Sequence, residues 1–130
     1  MTTEIVLNTT ESFPPAGHYS ASCTANGLVY VSGQLPVTFS GEKLTDAPFS
    51  EQVRQVLENL DACLAGAGTS RARLVQVRVY VTSIAQWPEF NKVYAEWIGD
   101  FHPARAVAGV SELHYGSAVE VEAIALAPDL

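Results

Sequence analysis

Arg105 follows Pro103-Ala104 and enters a segment otherwise made of alanine, valine and glycine; it is one of five arginines in the 130-residue chain. A guanidinium is a rigid planar fork that takes a carboxylate through two parallel hydrogen bonds. Arg105 is therefore either the partner of a carboxylate such as Glu120 or Glu122, or a clamp for a substrate carboxylate. Glu120 and Glu122 alternate with Val119 and Val121, so on a strand both point away from the valine face. Like charges so spaced raise one pKa when partly buried. One of the two could then exchange protons with a water, the ordinary alternative being a solvated strand edge. Asn91 and Tyr94 stand three residues apart and share one side of a helix. The ordinary roles there are a surface asparagine and a core tyrosine.

Other chemistries lack the residues they need. His18, His102 and His114 form no HxxxH or HExxH pair, and neither Cys23 nor Cys63 is spaced to join them, which leaves no metal site. No GxGxxG or GxxxxGK[ST] run is present, so a cofactor-free site is expected. Ser32-Gly33 lacks the GxSxG frame of a nucleophile elbow. Seven basic against 14 acidic residues give a net charge of −7 and a pI near 4.7, the wrong sign for neutralising phosphates, so no nucleic-acid partner is expected. No apolar run approaches a bilayer span, and Met1-Thr2-Thr3-Glu4 lacks a basic signal start, so no membrane association is expected. Two cysteines without CxxC spacing read as small buried residues in a reducing, cytoplasmic setting.

The elements that must carry these residues can be read from periodicity. With 48% hydrophobic and 16% charged residues and a mean hydropathy of +0.13, the chain has enough apolar surface for one core, and residues 1–130 read as a single domain. Glu4 to Leu7 is a short strand, and Phe13-Pro14-Pro15-Ala16-Gly17 must be irregular, placing His18 and Tyr19 on a loop. Ser20 to Thr24 and Leu28 to Gln34 are strands joined at Ala25-Asn26-Gly27, where Asn-Gly suits a tight hairpin. Val53, Val56, Leu57, Leu60, Cys63, Leu64 and Ala67 fall on a 3.6-residue period. They mark a helix from near Phe49, with a start signal at Asp46 and a stop at Gly66 or Gly68.

Leu74 to Thr82 alternates, with Val75, Val77, Val79 and Val81 on the face that needs a helix. Pro88 opens a second helix to about Ile98, with Trp87, Phe90, Tyr94, Trp97 and Ile98 as its apolar stripe and Gly99 as its stop. Arg105 to Val110 and Val119 to Ala127 are the last strands. The order βββαβαββ gives an α+β sandwich in which each helix is a crossover between strands. Tyr30, Ser32, Gln34, Gln76, Arg78, Tyr80, Glu120, Glu122 and Ile124 fall on the opposite face. That mixture of aromatic, aliphatic and charged residues favours a subunit interface.

Five blocks in register carry a family resemblance: Val31-Ser32-Gly33-Gln34-Leu35-Pro36, Gln52 through Leu60, Asn91-Lys92-Val93-Tyr94, Pro103-Ala104-Arg105, and Val119 through Ala125. In these the chain resembles the RidA/YjgF family, the reactive intermediate deaminases. The resemblance implies a chorismate mutase-like mixed sheet with two helices on one face. It also implies assembly as a homotrimeric barrel with ligand clefts between subunits. It further implies hydrolysis of 2-imino or enamino acids to 2-keto acids and ammonia without metal or organic cofactor, as in 2-iminobutanoate/2-iminopropanoate deaminases.

Under that resemblance Arg105 holds the substrate carboxylate, Glu120 positions or activates water, and Tyr19 lies near the reacting centre. Ser32, Gly33 and Asn91 line the cleft. Val107 stands, after Ala106, where relatives often carry cysteine or a small polar residue, and makes that wall apolar. Leu113-His114 replaces a common Leu-Pro. These departures fit a specialised pathway member, or a non-catalytic metabolite-binding or chaperone-like module, as the alternatives to a general imine deaminase. RNA cleavage, also described for the family, conflicts with the charge.

Overall fold

The structure, a computed structural model, describes residues 4–128; Met1-Thr2-Thr3, read above for a targeting signal, lies outside them. Six strands form one mixed sheet: β1 (Val6–Asn8), β2 (Ser22–Ala25), β3 (Leu28–Gln34), β4 (Leu74–Val81), β5 (Ala104–Gly109) and β6 (Val119–Leu126). Their spatial order is β1-β2-β3-β6-β4-β5, antiparallel everywhere except β4 with β5. Two helices, α1 (Phe49–Gly66) and α2 (Trp87–Ile98), are the crossovers. The β2–β3 hairpin turns at Asn26 and Gly27, both at positive φ (51° and 80°), the conformation an Asn-Gly turn supplies.

The helices cover one face of the sheet. Val53, Val56, Leu60, Cys63 and Leu64 of α1 are fully buried against Val29, Val77, Val79, Val81, Val119 and Val121. Two buried amides on α1 fix backbone outside it. Asn59 Nδ2 donates to the carbonyls of Leu35 (3.0 Å) and Val37 (2.9 Å). Gln52 Nε2 donates to the Ala47 carbonyl (3.1 Å), and its Oε1 accepts from the Ala118 N–H (3.0 Å) at the entry to β6. A buried carbonyl without such a donor costs about 1–3 kcal/mol, so α1 holds the Leu35–Val37 segment as well as the core.

Four sequence expectations change. In β4 an extra residue between Leu74 and Gln76 shifts the register with β6, so Leu74 enters the core and Val75 is exposed. In β3 a similar shift between Val31 and Gln34 turns Gln34 to the buried side, so it does not belong to the outer face. Trp87 is exposed at the first turn of α2, and Val93 takes a buried place on the stripe. Pro48, with no side-chain cap, precedes α1 in place of Asp46. Strict alternation cannot reveal a bulge, because the period of two resumes on its far side.

Candidate functional site

Glu120 sits on β6 opposite Tyr80 of β4, on the face away from the helices. Beside it β3 bulges at Ser32-Gly33, where three steps along β3 match two along β6. The bulge is fastened from behind. Ser32 Oγ donates to the Ser20 carbonyl (2.6 Å), the Ser32 N–H donates to the Ala21 carbonyl (3.1 Å), and Gln34 Nε2 donates to the Ser32 carbonyl (2.8 Å). Ser32 is thereby tied to the segment that carries Tyr19. The carboxylate of Glu120 lies directly over Gly33, in the space a Cβ would fill. Only glycine allows this approach, which is a use of the residue unrelated to turn formation.

These residues line a cleft of about 600 Å³. Tyr19, Ser32, Gly33 and Glu120 meet there, with Phe13 and Phe39 stacked at 5.3 Å on its apolar side. His114 and Tyr115 close another side, and Lys43 Nζ lies 4.7 Å over the Tyr115 ring. Sequence reasoning weighed His114 only as a metal ligand and a departure from the family pattern, and missed Tyr115, Lys43 and Phe39. The signal in the sequence was Gly116 alone, since glycine marks turns by supplying positive φ; in the structure both Tyr115 and Gly116 have positive φ (64° and 73°).

Burial raises the pKa of Glu120 above the ordinary carboxylate range; His114 pulls it down and Glu122 pushes it up. Glu122 is engaged elsewhere. It accepts a hydrogen bond from the Tyr80 hydroxyl and lies 3.7 Å from Arg78 Nη1. That bond is the main reason the Tyr80 pKa is raised. Of the two acids, Glu120 is thus the one with a desolvated carboxyl facing a cleft. Burial pushes the Cys63 thiol up to about 12, so it is neutral at physiological pH, whereas Cys23 is half-buried on β2.

Arg105 lies on the other side of the sheet. It pairs with Val77 of β4, on the helix-covered face, at the edge strand β5. Its Nη1 donates to Asn91 Oδ1 (2.8 Å), and its guanidinium stands 4.9 Å from the ring of Tyr94 and 5.9 Å from that of Phe90. Among the described residues it has no carboxylate partner. An Arg105 pair with Glu120 or Glu122 is therefore overturned, because strand alternation puts arginine and glutamates on opposite faces. Asn91, Tyr94, His102 and Arg105 line a second, separate cleft of about 400 Å³. Val107 packs against the core and lines neither cleft. One chain thus brings Tyr19, Ser32, Gly33 and Glu120 together, and Asn91 with Arg105, but does not join the two groups.

Residues 9–127 match the family model described as Endoribonuclease L-PSP. A RutC family protein of Aquifex aeolicus is 36% identical over 122 residues, covering 92% of this chain and 97% of that protein. The chain belongs to the RidA/YjgF family. Another member, the protein HMF1 of Saccharomyces cerevisiae, is 36% identical over 120 residues, 92% of each chain. Among solved members, yeast Mmf1 superposes with a TM-score of 0.91 at 34% identity, covering 96% of this chain and all of that one. TdcF of E. coli with bound serine superposes at 0.86 and 29% identity, over 94% and 98% of the two chains. The family's mixed sheet with two helices is the fold described above. Among the described residues no group of three or more His, Cys, Asp or Glu could hold a metal ion, and no helix is long and apolar enough to cross a membrane.

Proposed function

We propose that the protein is a cofactor-independent hydrolase of 2-imino and enamino acids. Its site is completed between neighbouring copies in a homotrimer, Glu120 with Tyr19, Ser32 and Gly33 coming from one and Arg105 with Asn91 from the next. The observation that carries this reading is the division of the site. A desolvated acid and an arginine without an acidic partner lie on opposite faces of one sheet, an arrangement that becomes useful when a second copy supplies the missing half. The exposed Tyr30, Val75 and Leu126 beside Ile124 on the outer face support association through that face. A serine bound to the relative TdcF supports a small 2-substituted carboxylic acid as ligand.

In this reading Arg105 takes the substrate carboxylate and fixes the imine carbon. Water adds to that carbon as Glu120 accepts one of its protons; a C–O bond forms and the C=N π pair moves to nitrogen. Glu120 then returns the proton to the amine, the C–N bond breaks, and the hydroxyl proton leaves with the ammonia as ammonium. A protonated imine is already electrophilic, so orientation and a proton relay suffice and no strong nucleophile is required.

The test generates imines from several amino acids with an amino-acid oxidase and follows trapped imine and keto acid. Accelerated hydrolysis lost in both Arg105→Ala and Glu120→Ala is the expected result. A correctly assembled protein that gives no acceleration, or an Arg105→Ala variant that keeps the full rate, contradicts the proposal. Tight metabolite binding without turnover would instead identify a binding module. RNA cleavage, the activity in the family model's description, is opposed by the net charge of −7.

A further inference from the structure

Among the described residues Arg105 is held without a neutralising acid, its guanidinium lying over the rings of Tyr94 and Phe90. Its guanidinium lies 4.9 Å from the Tyr94 ring centroid; Tyr94 lies 5.8 Å from Trp97 in a tilted pair, and Arg71 lies 5.0 Å over Trp97. Each of the two rings thus has a cation over it. The cations differ in their partners. Arg71 is paired with Asp61 at 3.2 Å, and the same Asp61 accepts a hydrogen bond from Trp97 Nε1 (2.8 Å), which fixes the outer ring. Among the described residues Arg105 has only the neutral Asn91 and the faces of Tyr94 and Phe90.

We infer that Tyr94 is a positioning residue for Arg105, its ring face orienting the guanidinium toward the cleft while leaving the full positive charge available to a carboxylate. An acidic partner would hold the arginine equally well but would compete with the ligand, whereas a ring quadrupole attracts the cation without saturating its donors. The hydroxyl is not the working part. Tyr94 is buried, and its Oη has no hydrogen-bond partner among the described residues. The inference rests on the carboxylate-binding role proposed for Arg105 and adds the residue that sets its geometry.

The test measures binding of 2-oxobutanoate by calorimetry, and kcat and KM for imine hydrolysis, in the assembled protein and three variants. Tyr94→Leu, which removes the ring, is expected to weaken 2-oxobutanoate binding and raise KM about tenfold, with kcat within twofold of the parent. Tyr94→Phe, which restores the ring without the hydroxyl, is expected to recover both values to within twofold. A Tyr94→Leu protein that binds as tightly as the parent overturns the inference, as does a Tyr94→Phe protein as impaired as Tyr94→Leu. Arg105→Ala separates this from the underlying proposal. If Arg105→Ala weakens binding and Tyr94→Leu does not, only the positioning role falls; if Arg105→Ala binds normally, the clamp falls and the positioning role with it. Should Tyr94→Leu fail to fold, loss of binding in Tyr94→Phe alone still overturns the inference.

Discussion

Glu120 is where sequence, burial and charge converge. Its proton affinity is raised first by desolvation, then lowered by His114 and raised again by Glu122. The base proposed for imine hydrolysis must be unprotonated, so on that proposal kcat/KM should fall as pH drops through the raised pKa of Glu120, giving an acid limb above the range of a free glutamate. His114→Gln removes the favourable charge and is expected to move the limb to higher pH; a pH–rate profile of both proteins checks this. The stability sign is the reverse of a salt-bridged acid. Because the folded state binds the proton more tightly, the penalty grows as pH rises from the unfolded pKa through the folded one. Glu120→Gln should therefore raise Tm at neutral pH while removing activity, and thermal scans at pH 4 and pH 7 should show the gain only at the higher pH. Arg105 and Glu120 could be nominated from sequence because a cation and a carboxylate are unusual among alanines and valines, whereas Tyr19 and Asn91 were nominated only by the family resemblance. The partners of Arg105 could not, since a cation stacked on a ring leaves no mark in residue spacing.

At the scale of elements, the site depends on one bulge and one helix. Gly33 makes room for the Glu120 carboxylate, so Gly33→Ala is expected to displace that carboxylate and, on the role proposed for Glu120, to cut kcat by about a hundredfold or more, as misplacement of a catalytic group does. Circular dichroism of the variant should remain that of the parent. Asn59 satisfies two backbone carbonyls of the loop that follows β3. Asn59→Leu leaves both without that donor and is expected to cost about 2–4 kcal/mol in urea unfolding. The strands and helices themselves were legible, because their periods of 2 and 3.6 persist over whole segments. Both bulges were not, and they account for the misplacement of Val75 and Gln34. The Val37 to Lys43 turn, closed by a single bridge between those two residues, also escaped notice, being too short for any period.

For the whole molecule the decisive fact is that Arg105 and Glu120 occupy opposite faces of the same sheet. The sequence left Arg105 as the partner of Glu120 or Glu122 or as a clamp, and the strand order β6-β4-β5 was needed to show that β5 is an edge, that its arginine faces away from the glutamates and that it meets α2. The outer face, with Tyr30, Val75 and Leu126 exposed, is expected to be covered by other copies, so sedimentation should report a closed oligomer. The most direct measurement mixes two inactive proteins, Arg105→Ala and Glu120→Gln, by unfolding and refolding them together and assaying imine hydrolysis. If each site takes its arginine from one copy and its glutamate from the next, random assembly at equal amounts restores an intact pair at about one interface in four. Roughly a quarter of the parent activity is the expected result. A mixture as inactive as either variant alone, in assemblies shown to contain both, would contradict a site shared between subunits.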